Sequence, residues 1–291
     1  MKTSNKLLIA FAAALILIPI LGMFIVSATQ YKTGNYEDIV KADRKIENFS
    51  TPTKNMEALA VQNSFTSVNI TDAKGKVLNV QLIKDQRFGV KVPGAYKDLI
   101  TLSVDANGQL QIAIKDNPKS DDNKRESYYT NIYVYAPSFT ELNVSNASDV
   151  NIMAVTDSLA VNIQKSGSIS LDNEAKIENL MLKTADVTNV YFRDDNLKSV
   201  SLDLNNTKLI ASSSSFENLS ILTAGKCEIE LEGNYDKTKI YTINKLTLNT
   251  TGIADVKLEN VTVNNCSGKF SDQTQVQMPA INLNQMYNSK K

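Results

Sequence analysis

The stretch Leu142-Asn143-Val144-Ser145-Asn146-Ala147-Ser148-Asp149-Val150-Asn151-Ile152 sets two short apolar-alternating strands on either side of a polar turn. Residues 139 to 270 repeat this unit loosely: Val150 is matched by Ile169, Val187, Leu209, Cys227 and Val256, with one longer step before the last. A period of about 20 residues marks a solenoid, in which each unit buries too little alone and depends on its neighbours. Alternation by two sends the apolar residues inward and the Asn, Ser, Thr, Asp and Lys residues outward. Parallel strands joined by crossovers coil to the right in nearly all cases. The expected fold is therefore all-β: a right-handed parallel β-helix or solenoid, preceded by β-strands and a hairpin, with one N-terminal transmembrane helix.

Working outward, the same period of two runs through Val68 and Ile70, then Leu78, Val80 and Leu82, then Phe88, Val90 and Val92, predicting half-buried strands. Asn107-Gly108 divides Leu102-Ser-Val104 from Leu110-Gln-Ile112-Ala-Ile114, a strong hairpin signal. Ile132, Val134 and Ala136 lead into the repeats. Between them, Asp116 to Ser127 is charged but lacks the alternating ligands, central glycine and terminal Glu of a calcium loop, and reads as solvated. The tail from Ser271 is expected to cover the last repeat.

Leu7 to Val26 carries no charge over twenty residues and follows Lys2 and Lys6. That length suits a bilayer span, and the lysines place the N-terminus in the cytoplasm. Val26-Ser27-Ala28 offers a cleavage site for the alternative, a removed secretory signal, whose apolar core would be unusually long. The chain is expected to divide into a cytoplasmic stub and anchor or signal peptide (1–30), a juxtamembrane linker (31–63), a β domain (64–277) and a C-terminal cap and tail (278–291).

Composition excludes more than it suggests. Acidic and basic residues balance at 31 each, so no basic surface points to nucleic acid. The absence of histidine removes Ser-His-Asp and Cys-His catalysis and the usual zinc sites. No phosphate loop or dinucleotide fingerprint occurs, so nucleotide chemistry is not expected. Catalytic, cofactor-binding and metal-binding residues are all read as none, and no cofactor is implied. Cys227 and Cys266 share strand faces with apolar neighbours in separate repeats, which predicts two buried free thiols rather than a disulfide.

Three groups of residues are candidate sites. Glu228, Glu230 and Glu232 alternate with Cys227, Ile229 and Leu231 and project outward, and Arg193 adjoins Asp194 and Asp195. Paired carboxylates could cleave polysaccharide, but an outward Glu row more simply keeps a strand soluble. Tyr128, Tyr129, Tyr133, Tyr135, Tyr191 and Tyr241 could contact a carbohydrate or peptide, although tyrosines in sheets more often pack. Asn143, Asn151, Asn162, Ser201 and Thr247 read as structural polar ladders.

Phe65-Thr-Ser-Val68-Asn-Ile70, Asn107-Gly-Gln-Leu110-Gln-Ile112, Ile132-Tyr-Val134-Tyr-Ala-Pro137-Ser-Phe139 and Ser145-Asn-Ala-Ser-Asp149-Val150 resemble the putative auto-transporter adhesin head family, or GIN domain, over roughly residues 64 to 270. The family's Gly-Ser-Gly-Asp turns are kept only in part, at Lys165-Ser-Gly167-Ser and Thr251-Gly252. The resemblance implies an exported β-solenoid of a Gram-negative envelope and carries no catalytic residue. The expected function is a non-enzymatic envelope interaction module with a protein or glycan partner, single-pass in the inner membrane and facing the periplasm. Secretion or outer-membrane location after cleavage near Ala28 is the alternative location. The alternative functions are a polysaccharide-acting β-helix enzyme and an accessory subunit of an inner-membrane complex.

Overall fold

A computed structural model describes residues 3–30, 48–116, 129–193, 196–233 and 239–288. The chain forms two units, Met1–Ile46 and Glu47–Lys291. The first contains helix α1 (Thr3–Gln30), with Pro19 inside it. Among the described residues no helix is long and apolar enough to cross a membrane, so the expected transmembrane helix is not supported. An uncharged run is not sufficient by itself, and Pro19 removes a helix hydrogen bond within it.

The second unit carries an 18-stranded sheet. The strands that decide its topology begin with β1 (Met56–Ala60), β2 (Ser67–Ile70), β3 (Val77–Lys84) and β4 (Gly89–Pro93). Next come β5 (Ile100–Val104), β6 (Gln109–Ile114), β7 (Tyr129–Ala136), β8 (Glu141–Ser145), β9 (Asp149–Leu171) and β10 (Lys176–Arg193). They continue through β11 (Asn196–Asn205), β12 (Lys208–Ser212), β13 (Ser215–Ala224) and β14 (Lys226–Glu232) to β15 (Thr242–Thr250), β16 (Ile253–Glu259), β17 (Thr262–Lys269) and β18 (Thr274–Gln277). A closing helix, α2, covers Ala280–Asn288.

The sheet is mixed, which corrects the expectation of a right-handed parallel β-helix. Strands β1 and β4, β4 and β7, and β5 and β6 pair antiparallel, whereas the later strands pair parallel. Alternation records which face a residue occupies but not the direction of its neighbour, so direction was not available from the pattern.

Parallel pairing follows two runs. In one, β11, β13, β15 and β17 succeed one another; in the other, β12, β14, β16 and β18 do so. Strands β9 and β10 are long enough to contribute to both. Stacking in register builds columns of buried aliphatics: Ile169, Val190, Leu209, Ile229 and Val256 in one run, and Leu142, Val161, Leu182, Leu202, Ile221 and Leu248 in the other. Each such side chain contributes about 1.5–3 kcal/mol of burial. The first column also corrects the repeat alignment, because Val190 and Ile229, not Val187 and Cys227, stand level with Ile169 and Val256.

The chain passes from one run to the other through left-handed residues: Asn146, Lys165, Asp186, Asn206 and Gly225 all have positive φ. Short polar residues tolerate that conformation best after glycine. At Gly225 the requirement is steric as well, since a Cβ would lie 2.2 Å from Asn206 Oδ1.

Candidate functional site

A concavity lies beside this line of turns, on the second run. It is a trough of about 660 Å³. One wall is the paired row Lys208, Glu228, Asp255 and Gln275, supplied by β12, β14, β16 and β18. The other holds Asp186, Asn206, Lys226, Ile253 and Gln273. The floor is small and buried, made by Val187, Thr207, Cys227 and Ala254, and it is this small floor between two outward rows that makes the surface concave.

Hydrogen bonds fix the turn side of the trough. Asn206 Nδ2 donates to Asp186 Oδ1 at 2.9 Å, and Asn206 Oδ1 accepts from the Lys226 backbone N–H at 3.0 Å. Below them, the Thr207 hydroxyl reaches Asn205 O at 3.0 Å and the Cys227 thiol donates to Ala224 O at 3.2 Å. On the opposite wall Lys208 Nζ bonds Glu228 at 2.8 Å and Glu230 at 2.9 Å. The bonds from these two carboxylates, Glu228 first, raise the lysine pKa, and the Lys208 bond lowers that of Glu228.

The outward Glu row is thus tied to lysines on both flanks. Lys257, on β16, holds Glu232 at 3.0 Å and Glu259 at 2.8 Å. A general acid needs its pKa raised, and Glu228 is shifted the other way. Arg193 ends β10, while Asp194 and Asp195 lie outside the described residues.

The tyrosines do not form one patch. Tyr135 and Tyr241 are buried, Tyr133 and Tyr191 are half-buried, Tyr129 opens β7, and Tyr128 lies outside the described residues, as does nearly all of the charged loop before it. The polar ladders take the expected positions. Asn162 Nδ2 donates to Asn143 at 2.7 Å, Asn151 Nδ2 to Asn79 at 3.3 Å, and Thr247 and Ser267 meet at 3.3 Å, while Ser201 stands level with Ser220.

Two smaller depressions lie on the first run across β10, β11, β13 and β15. One, of about 520 Å³, is lined by Lys176, Glu178, Lys198, Phe216 and Glu217, and the other, of about 430 Å³, by Met181, Ser201, Ser220 and Thr247. Among the described residues no group of His, Cys, Asp and Glu could hold a metal ion.

Both cysteines are buried free thiols. Burial raises the Cys227 pKa and pushes that of Cys266 up to about 11. We expect neither thiol of the native chain to react with a disulfide reagent at pH 8 within minutes, and both to react in denaturant, as counted by released chromophore. A raised thiol pKa favours the folded state's retained proton, so this contribution to stability is present below the unfolded pKa near 9 and is lost as pH rises towards 11. Rapid native labelling of Cys227 would show that the trough floor is open.

The family described as putative auto-transporter adhesin, head GIN domain, matches residues 64–261, and the chain belongs to that family. A putative adhesin from Bacteroides fragilis is similar in structure at 15% identity, with 75% of this chain and 95% of that one covered and a TM-score of 0.46. Two proteins from Parabacteroides distasonis are also similar. One is a putative adhesin (12% identity, 76% and 92% covered, TM-score 0.48) and the other a putative lipid binding protein (17% identity, 75% and 98% covered, TM-score 0.41). No curated protein matches the chain.

Of the trough walls, only Glu228 is among the candidates that the sequence pattern offers. A signal existed in the polar residues that recur where the chain turns, Asn146, Asp186 and Asn206, but only the register shows which outward residues become neighbours across strands.

Proposed function

We propose that this chain is a non-catalytic interaction module of a Gram-negative cell envelope, holding a protein or glycan partner against its lateral surface. Membership of an adhesin head family supports the location and the class of function. The observation that carries the proposal is the trough, where side chains from five successive strands line one surface. Lysine-bound carboxylates, with the Glu228 pKa lowered, suit a recognition surface better than acid catalysis. Fractionation of native cells, read with an antibody to the chain, tests the location. The chain should sediment with envelope fractions or appear in the periplasmic extract. Recovery of the bulk in the cytosol would refute the proposal.

A further inference from the structure

We infer that the trough on the second run binds a linear, uncharged, hydroxyl-rich polymer, that is, a segment of neutral glycan. This rests on the interaction-module reading and names the ligand class for that site. The trough crosses β10, β12, β14, β16 and β18, and four inter-strand steps of about 4.8 Å give it a length of about 19 Å. An extended ligand fits that length better than a compact one.

Backbone recognition is not available along it, because the strands that line it are paired with one another in the parallel ladder. A peptide adding as a strand would need a free edge parallel to itself, whereas the trough runs across the strands. Recognition therefore falls to side chains. Lys226 and the two Gln amides offer donors, while Asp255 and Asp186 offer acceptors, so a ligand must present both donors and acceptors along its length. Hydroxyl groups do both.

Charge narrows the class further. Three lining carboxylates (Asp186, Glu228, Asp255) face two ammonium groups (Lys208, Lys226), so a polyanion or a polycation would each meet like charges within the trough. Ile253 is 52% exposed on the same wall, where it can meet the C–H face of a sugar ring. The volume, about 660 Å³, lies in the range of small-ligand sites.

The test is calorimetric titration of the full chain with neutral linear hexasaccharides of several linkages: maltohexaose, cellohexaose, laminarihexaose, mannohexaose and chitohexaose. At least one should bind with a Kd on the order of 10 μM to 1 mM. The variants Asp255→Ala and Gln275→Ala should each weaken it by about tenfold, as loss of a hydrogen bond to the ligand requires. Lys198→Ala, in the depression on the first run, should leave the Kd unchanged, and circular dichroism should match the parent in all three. Failure of every neutral hexasaccharide to bind at about 10 mM, equal binding by the Asp255 and Gln275 variants, or binding confined to an oligogalacturonate or a peptide would overturn the inference. None of these outcomes bears on cell fractionation, so the envelope proposal stands or falls separately.

Discussion

Replacing Lys91 by alanine should destabilise the second unit by about 3 kcal/mol, measured by urea unfolding. Lys91 sits in the middle of β4 between Val90 and Val92, whose side chains enter the core, and it is itself only 1% exposed. The segment that follows residue 47 covers it. Its ammonium donates to Asn48 O at 2.9 Å, Thr51 O at 2.7 Å and the Thr53 hydroxyl at 2.9 Å. The Tyr135 ring lies 5.1 Å from the charge, and Phe49 packs on Tyr135 at 5.4 Å. A buried ammonium is costly unless so compensated, and removing it takes a donor from Thr51 O, at about 1–3 kcal/mol, beside the cavity left by the stem, whereas Asn48 O still accepts the Thr51 N–H at 3.0 Å. Lys91→Met separates these effects. It retains most of the volume but none of the donors, and should still lose about 2 kcal/mol, with faster amide exchange from Asn48 to Ala60. A methionine variant as stable as the parent would show that the charge organises nothing.

That same lysine shows where sequence reading stops. In Val90-Lys91-Val92 the alternation was legible and correct for the valines, but it assigns Lys91 to solvent. The contact that buries it comes from residues about 40 positions earlier, and Gly89 belongs to the same arrangement, since a Cβ there would strike the Phe49 ring at 2.3 Å. Strand positions such as Val68, Leu78, Val80 and Val134, the β5–β6 hairpin and the buried thiols were readable because each depends on local parity or turn chemistry. Register was not. The paired outward residues 178–179, 217–218, 244–245 and 264–265 interrupt the alternation inside continuous strands, so counting by two across them assigns later residues to the wrong row. The trough inherits that difficulty, because its walls are defined by cross-strand neighbours about 20 residues or more apart and no local motif links Lys208 to Asp255 or Gln275.

Truncation after Pro279, which removes α2, should lower stability by about 4 kcal/mol and convert the chain to dimers or larger species. Strand β17 pairs with β15 on one side only, so its other edge would present bare backbone groups. Helix α2 supplies their partners through side chains spaced to share one helical face. Asn282 Nδ2 donates to Val263 O at 3.1 Å, Gln285 Nε2 to Asn264 O at 2.9 Å, and Gln285 Oε1 accepts the Cys266 N–H at 2.9 Å. Met286, one turn beyond Asn282, is buried against the core and contributes about 1.5–3 kcal/mol of apolar burial. The helix thus takes the place of the strand that would otherwise come next. The double variant Asn282→Ala/Gln285→Ala distinguishes the two contributions, because it keeps Met286 while opening the edge. Sedimentation velocity should show it self-associating more than a Met286→Ala variant of equal or lower stability. If the truncated chain stayed monomeric and as stable as the parent, the edge of β17 would need no cap, and α2 would be a passive tail.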